Sequence, residues 1–446
     1  MEISMKKLIY IYLLIIIPLS TKADSLWTLK KCVQYAIENN LSIYQEALKV
    51  NQASIDVKNV KWQYAPTIGS SINGTFNAGR SIDPGTNTYI DHQFFNNTSD
   101  LSLNWTLFQG FKKKYQLKFE EYQLQASKFQ LQNAKEKLVF EVVQAFYDVE
   151  YNYELWEITK AQIKLSQTIV DRAVYQQDLG LKASADVAEM RAQLEKERML
   201  SLQAHNKMME AKSRLVNIMN YTSSLNSLSL EFEQLSILSK NFGNEEQLYT
   251  TFFQQSALLK THFLSLQSRN EKLKSEKASY LPEFSLYANM NTGYFQTNTD
   301  ESGNVIQFRE QWKNNMNQMV GVRLYIPIFH QNTQRLAVQR TKIQVVESEA
   351  LLNQQQQELK RTIGNDLREW KAFQKEIEQG EKVKEASELA YDVAVQKYEE
   401  GLIDIVTLLT VKQKLGQAEV DLLLSELNYL LKEKLLMFYQ GEKFWI

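Results

Sequence analysis

The chain has 446 residues, 44% apolar and 23% charged, with 51 Lys and Arg against 52 Asp and Glu and a formal net charge of -1. That balance excludes a polyanion binder, which needs an excess of cations to release counterions, and the apolar content excludes a charge-driven disordered chain. The five prolines stand at 18, 66, 84, 282 and 327, and because proline breaks helix interiors, the proline-free tracts 85–281 and 328–446 predict long helices rather than a turn-rich enzyme.

Residues 1–23 carry Lys6 and Lys7, an apolar run from Leu8 to Leu19, and small residues up to Ala23. That is the order of a secretory signal peptide cleaved after Ala23, the run being well short of the ~20 apolar residues a membrane-spanning helix needs. Residues 24–63 form the first helix of a first half. Leu26, Leu29, Val33, Ala36 and Ile37 are helically spaced, the helix runs to about Gln63, and the lone Cys32 reads as a small buried hydrophobe within it.

Residues 64–109 change period. Leu101, Leu103, Trp105 and Leu107 alternate with Ser102, Asn104 and Thr106, and Ile68, Ile72 and Phe76 keep one parity. This is a β-hairpin whose tip runs from Arg80 to Asn97, with Asp83-Pro84-Gly85 as a turn. Residues 110–220 form a long helical hairpin. Leu117, Leu124, Leu131, Leu138 and Ala145 recur every seven residues, and so do Val142, Val149, Trp156, Ile163 and Val170. Two such rows make a coiled-coil seam along a helix of ~100 Å. Its tip lies at 178–186, where Gly180 suits a helix C-terminus, and the reversed helix runs from Ala185 to Asn220. The Ser- and Asn-rich linker 221–243 follows.

The second half repeats the first. A helix at 244–279 leads into a hairpin at 280–330, then into a helical hairpin at 331–446 with its tip at 399–410. Tyr64-Ala65-Pro66 matches Tyr280-Leu281-Pro282, Leu107-Phe108 matches Ile328-Phe329, and Gly180-Leu181 matches Gly401-Leu402, in the same order. The chain is therefore a tandem duplication. In the second hairpin Phe284, Leu286, Ala288 and Met290 alternate with Ser285, Tyr287, Asn289 and Asn291, and Val320, Val322, Leu324, Ile326 and Ile328 alternate with Gly321, Arg323, Tyr325 and Pro327, around a polar tip from Gln296 to Asn315.

Each strand thus has one apolar face, which lipid can cover in an apolar-out, polar-in wall. Tyr64, Phe108, Tyr280 and Phe329, near strand ends, suit an interfacial aromatic girdle. Four strands cannot close, since about eight are needed, so several chains share one barrel. Chemistry is not in view. His92, His205, His262 and His330 are scattered without metal-ligand spacing, and no phosphate-binding glycine loop exists. The reading calls for no catalytic residue, metal or cofactor.

The helix Leu29–Asn40 ending in Glu38-Asn39-Asn40, the two hairpin openings, Trp105-Thr106-Leu107-Phe108, Tyr325-Ile326-Pro327-Ile328-Phe329 and the tip from Leu179 to Asp186 together resemble the TolC-like outer-membrane efflux factor family. The resemblance implies a mainly α chain with a membrane β-barrel part. Three copies would build a twelve-strand barrel above an α-barrel of coiled-coil helices, in the outer membrane of a Gram-negative bacterium and reaching into the periplasm. It implies a passive exit duct of a tripartite efflux or type I secretion system. The implied partners are a periplasmic adaptor, an inner-membrane transporter and outer-membrane lipid, with no nucleic acid. The adaptor would dock at Gly180, Leu181, Gly401 and Leu402.

The pore entrance would lie at Asp186, Ile403, Asp404, Thr407 and Thr410. Relatives carry a cation-selecting aspartate pair where this chain has Thr407 and Thr410, and an arginine where it has Ile403, so the resemblance implies an entrance closed by packing. Asp186 reads equally as a cap of the helix after the turn. The alternatives are a periplasmic adaptor with a coiled-coil hairpin, which the duplicated strand pairs disfavour, and a secreted helical scaffold, which would lack clean apolar strand faces.

Overall fold

In the computed structural model the described residues are 26–82, 87–91, 93–222, 224, 228–232 and 240–443. The expected signal peptide 1–23, the turn Asp83-Pro84-Gly85 and part of the linker 221–243 lie outside them. Two compact units divide the chain. One holds residues up to Tyr44, Ala134–Gln254 and Lys360 onward, and the other holds Gln45–Asn133 and Gln255–Leu359.

The expected first helix is two helices, α1 (Leu29–Asn39) and α2 (Leu41–Trp62). The break has a local cause. Asn40 is extended, at φ -70° and ψ 125°, and its side-chain oxygen accepts from the amides of Ser42 at 2.8 Å and Ile43 at 3.3 Å. A residue that caps the next helix cannot also continue the previous one. The same correction holds in the second half. The single tract expected at 244–279 is α5 (Glu245–Gln255) and α6 (Ala257–Ala278), divided at Ser256, whose hydroxyl accepts from the Leu259 amide. Between these pairs run α3 (Lys112–Asp178) and α4 (Ser184–Met219). Toward the C-terminus run α8 (Thr333–Glu399) and α9 (Ile405–Tyr439). The matched helices α3 and α8 have 67 residues each, ~100 Å at 1.5 Å per residue. Among the described residues no helix is long and apolar enough to cross a membrane.

In the first unit the heptad rows are buried in part, Trp156 and Ile163 being only half-buried. Leu138, Val142, Ala145, Val149 and Val170 of α3 are all core. Cys32, Val33 and Ala36 are fully buried in α1, and burial pushes the Cys32 thiol up to about 12. Edge-on rings of Trp27, Tyr35 and Tyr221 close this region, and the Asn40 amide donates to the Ile218 carbonyl at 2.9 Å.

The second unit carries a four-stranded antiparallel sheet in the order β1-β4-β5-β6, namely β1 (Thr67–Asn77), β4 (Phe94–Gln109), β5 (Glu283–Phe295) and β6 (Asn317–Tyr325). The prolines 66 and 282 immediately precede two of these strands, as their missing donor permits. The first hairpin's tip, expected as a polar loop up to Asn97, is partly ordered: β4 begins at Phe94, and a small ribbon pairs β2 (Arg80–Ile82) with β3 (Tyr89–Asp91). The second tip, expected as loop throughout, contains a short helix, α7 (Phe308–Asn314).

Register aligns the apolar residues across strands. Ile68 faces Leu103, which faces Ala288, which faces Val320, and Trp105, Leu286 and Val322 form the next row. A bulge at Leu107 hands the apolar parity to Phe108, which pairs with Phe284, and Phe284 pairs with Leu324. The opposite face carries Ser102, Asn104, Asn289, Asn291 and Tyr287. Both halves leave the sheet by the same kink, two successive left-handed residues: Gly110 and Phe111, then Gln331 and Asn332. At the first kink only glycine fits, because a Cβ on Gly110 would lie 2.7 Å from the Ala278 carbonyl oxygen.

Candidate functional site

The two helical tips belong to the same unit and are built alike. At the first, the Gly180 amide donates to the Gln177 carbonyl at 2.9 Å and the Leu181 amide to Gln176 at 2.9 Å. At the second, Gly401 donates to Tyr398 at 3.1 Å and Leu402 to Lys397 at 2.8 Å. Both are Schellman closures, which need a left-handed residue after the helix, and Gly180 and Gly401 sit at φ +74° and +73°. The turns hold Leu181 75% and Leu402 67% exposed.

The ascending helices start differently. Asp404 caps α9, its carboxylate accepting the Thr407 amide at 2.8 Å. Hydrogen bonds from the Thr407 hydroxyl and then its amide hold the Asp404 carboxyl below the ordinary aspartate value. The cap position of α4 is Ala183, which bonds nothing through its side chain, and Asp186 lies two residues inside the helix. Asp186, read from the sequence as a cap or an entrance residue, is not the cap of α4, whereas Asp404, expected only at the pore entrance, caps α9. Asp186 still faces the positive end of the α4 dipole. Among the described residues it has no ion-pair partner.

Below the seam the two tips share a core of Val170, Ala173, Val187 and Met190 with Tyr391, Ala394, Ile405 and Leu408, and Ile403 packs against it. Polar ties also cross between them. Lys182 Nζ lies 4.1 Å from the Tyr398 ring centre, and Arg172 pairs with Glu399. A groove of about 660 Å³ opens beside these contacts, lined by Ile169, Ala173, Leu181, Tyr391, Val395 and Leu408. Thr407 and Thr410 are both exposed. The Thr410 hydroxyl donates to the Val406 carbonyl at 2.8 Å, so its hydrogen is spent within its own helix.

Higher on α9 stands a group that sequence reasoning missed. Lys412 is buried with Glu197 of α4, Nζ to Oε1 at 2.8 Å, the side chains being 7% and 6% exposed. The same ammonium donates to the Ser166 hydroxyl and, at 3.3 Å, to the Gln162 carbonyl of α3. Gln193 donates to Glu197 at 3.0 Å, while the second carboxylate oxygen of Glu197 is buried without a partner. One lysine thus ties three helices together above the tips. α9 carries other charged residues, among them the buried Glu433, so nothing in the spacing singles out Lys412, its depth or its partners.

The four girdle aromatics lie in the other unit. Tyr64, Phe108, Tyr280 and Phe329 are all exposed. The Trp105 indole donates to the Tyr64 carbonyl at 2.8 Å, and Phe108 meets Phe111 edge-on. Among the described residues no group of His, Cys, Asp or Glu could hold a metal.

Comparison with known proteins agrees with this architecture. The family model for outer membrane efflux proteins matches residues 32–221 and 248–442. The fold is similar to VceC of Vibrio cholerae, with TM-score 0.79, 15% identity, and 93% of this chain and 96% of that one covered. It is similar to CmeC of Campylobacter jejuni, with TM-score 0.77, 16% identity, and 93% and 85% covered. The open state of MtrE of Neisseria gonorrhoeae gives TM-score 0.71, 15% identity, and 93% and 88% covered. A search of curated proteins found no match. The family match over both halves, with the duplicated helical hairpins and the similar fold, makes this chain a member of the outer membrane efflux protein family, a non-enzymatic outer-membrane efflux duct extending into the periplasm.

Proposed function

We propose that the protein is the passive exit duct of a tripartite efflux or type I secretion system, built from three copies and opened at its helical tips by a periplasmic adaptor and an inner-membrane transporter. The observation that carries this reading is a four-stranded sheet with one aligned apolar face and an outer edge on each of β1 and β6. Lipid satisfies no backbone donor or acceptor, so open edges cannot stand in a bilayer. Strands of further copies close them, and three copies bring twelve strands, beyond the about eight that closure needs. The apolar rows then face lipid, the Ser and Asn rows face water, and Tyr64, Phe108, Tyr280 and Phe329 form the girdle on the helical side.

At the tips, the glycine turns present Leu181 and Leu402 to solvent, an apolar feature that an adaptor's own helical hairpin can cover. The entrance closes by packing of Ile403 on the shared core and by helices capped at Asp404, with Thr407 and Thr410 in the places where relatives carry carboxylates. The Arg172–Glu399 ion pair between the tips is exposed on both sides, which suits an element that a partner biases between two states. The MtrE neighbour was solved in an open state, which supports tips that separate.

The mass of the detergent-extracted particle tests the assembly: three chains are expected, and a single chain would overturn it. Single-channel recording tests the entrance: weak ion selectivity is expected. Strong cation selectivity that disappears on Asp186→Asn or Asp404→Asn would overturn closure by packing.

A further inference from the structure

The loop between β5 and β6 is not a bare connection. Gln311 of α7 is 1% exposed, and its side chain accepts the Phe295 amide at 2.9 Å and donates to the Phe295 carbonyl at 3.0 Å and the Ile306 carbonyl at 2.8 Å. A side-chain amide thus continues the ladder beyond the strand end and fixes the helix to β5. The Asn315 amide donates to the Gly293 carbonyl at 2.8 Å, and the Thr292 hydroxyl donates to the Trp312 carbonyl at 2.6 Å.

The face on which α7 rests is decided by parity. Strand side chains alternate, and Leu286, Ala288 and Met290 stand in the apolar rows, so Thr292 and Tyr294 share their side of the sheet. Thr292 holds the Trp312 carbonyl, and Tyr294 meets the Phe308 ring at 5.4 Å, while Phe308 meets Trp312 at 5.3 Å. Across the strand, Phe95 lies 6.4 Å from Tyr294 on the same side, and Phe76, two places along from Gly74, shares it too. Beyond Met290 the same face carries the row Ile72, Ser99 and Thr292 and then Asn97 and Tyr294. It reaches a cluster of aromatic rings at the end of the sheet opposite Tyr64 and Tyr280, and α7 supplies two of them. Phe76, Phe308 and Met316 are exposed there. Arg309 and Lys313, one turn apart on α7, are exposed beside the rings, with Glu310 also exposed.

We propose that α7 is a lipid-anchoring element: its Phe308 and Trp312 rings sit in the headgroup boundary of the outer leaflet and complete a second aromatic girdle, with Arg309 and Lys313 placed toward lipid phosphates. The physical reason is the preference of amphipathic rings for that boundary and of long basic side chains for reaching out of it. The occupant is lipid because the rings stand on the same face of the sheet as the apolar rows assigned to lipid. The proposal rests on that reading of the sheet, and its test separates the two.

The full-length protein, labelled with 5-fluorotryptophan, is placed in nanodiscs of phosphatidylethanolamine and phosphatidylglycerol. The discs carry a nitroxide lipid labelled either near the headgroup or near the chain end. Trp312→Phe assigns the Trp312 fluorine signal and Trp105→Phe the Trp105 signal, the latter reporting the apolar face at the other end of the sheet. The buried Trp370 of the helical unit is the unbroadened reference. The Trp312 signal is expected to lose most of its intensity with the shallow nitroxide and less with the deep one. If Trp105 broadens and Trp312 keeps full intensity under both nitroxides, the anchor is wrong and the barrel stands. If neither broadens, anchor and barrel both fall.

Discussion

The two helical tips turn through the same pair of hydrogen bonds around a left-handed glycine, yet they begin their ascending helices with different chemistry. The first has an alanine at the cap position and an aspartate inside the helix. The second has an aspartate that accepts both the amide and the hydroxyl of Thr407. Duplication preserved what the backbone demands, a residue at positive φ, and left free what only tunes stability. The comparison suggests that the first tip is the softer of the two. Above both, Lys412 joins the second tip's helix to both helices of the first.

The largest expected effect comes from removing that tie. Lys412→Met leaves Glu197 charged and buried, a change that costs about 3–5 kcal/mol, read as a fall in the thermal midpoint of the helical signal. The double variant Lys412→Met, Glu197→Leu recovers much of the loss, because no unpaired charge remains. Next come the glycines. Gly180→Ala and Gly401→Ala each force a Cβ into the left-handed region at a cost of about 1–2 kcal/mol. Nothing lies within 4 Å of either added Cβ, so the two losses should be equal, and unequal midpoints would break the likeness of the tips.

Smaller is the gain from giving the first tip the cap it lacks. Ala183→Asp should stabilise the start of α4 by about 0.5–1 kcal/mol, seen as slower amide exchange at residues 185–187. The converse comes from pH. Because the folded Asp404 value lies below its unfolded value, the cap's contribution is present above the unfolded value. It is lost as pH falls through the folded one. Acidification should therefore speed exchange at Thr407, after correction for intrinsic rates, and Asp404→Asn should remove that dependence. Smallest is Arg172→Gln. Its pair with Glu399 is exposed on both sides, so it contributes under about 1 kcal/mol to stability.

The duplication, the strand parity and the long helices were legible because each rests on period and on residues with narrow backbone tolerance. Pro66, Pro282, Gly180 and Gly401 fall where their chemistry dictates. The breaks at Asn40 and Ser256 were not read, although both are cap-forming residues, because the apolar period continues across them and outweighs a single polar side chain. The left-handed pair at Gln331 and Asn332 carries no glycine to announce it. Lys412 and Gln311 were missed for a shared reason. Both are long polar side chains whose burial is decided by residues hundreds of positions away or by a loop that folds back, and local spacing holds neither fact. Asp404 was visible as a residue but not as a cap, because its role depends on a one-turn geometry that alignment with relatives does not carry.

Conductance of the purified protein across a planar lipid bilayer tests the central claim most directly. A duct closed at its tips by packing predicts small discrete steps for the native chain and clearly larger steps for a variant whose tip packing is loosened, Ile403→Ala combined with Val187→Ala. Absence of any step in both proteins, when both are folded and inserted, would contradict the account.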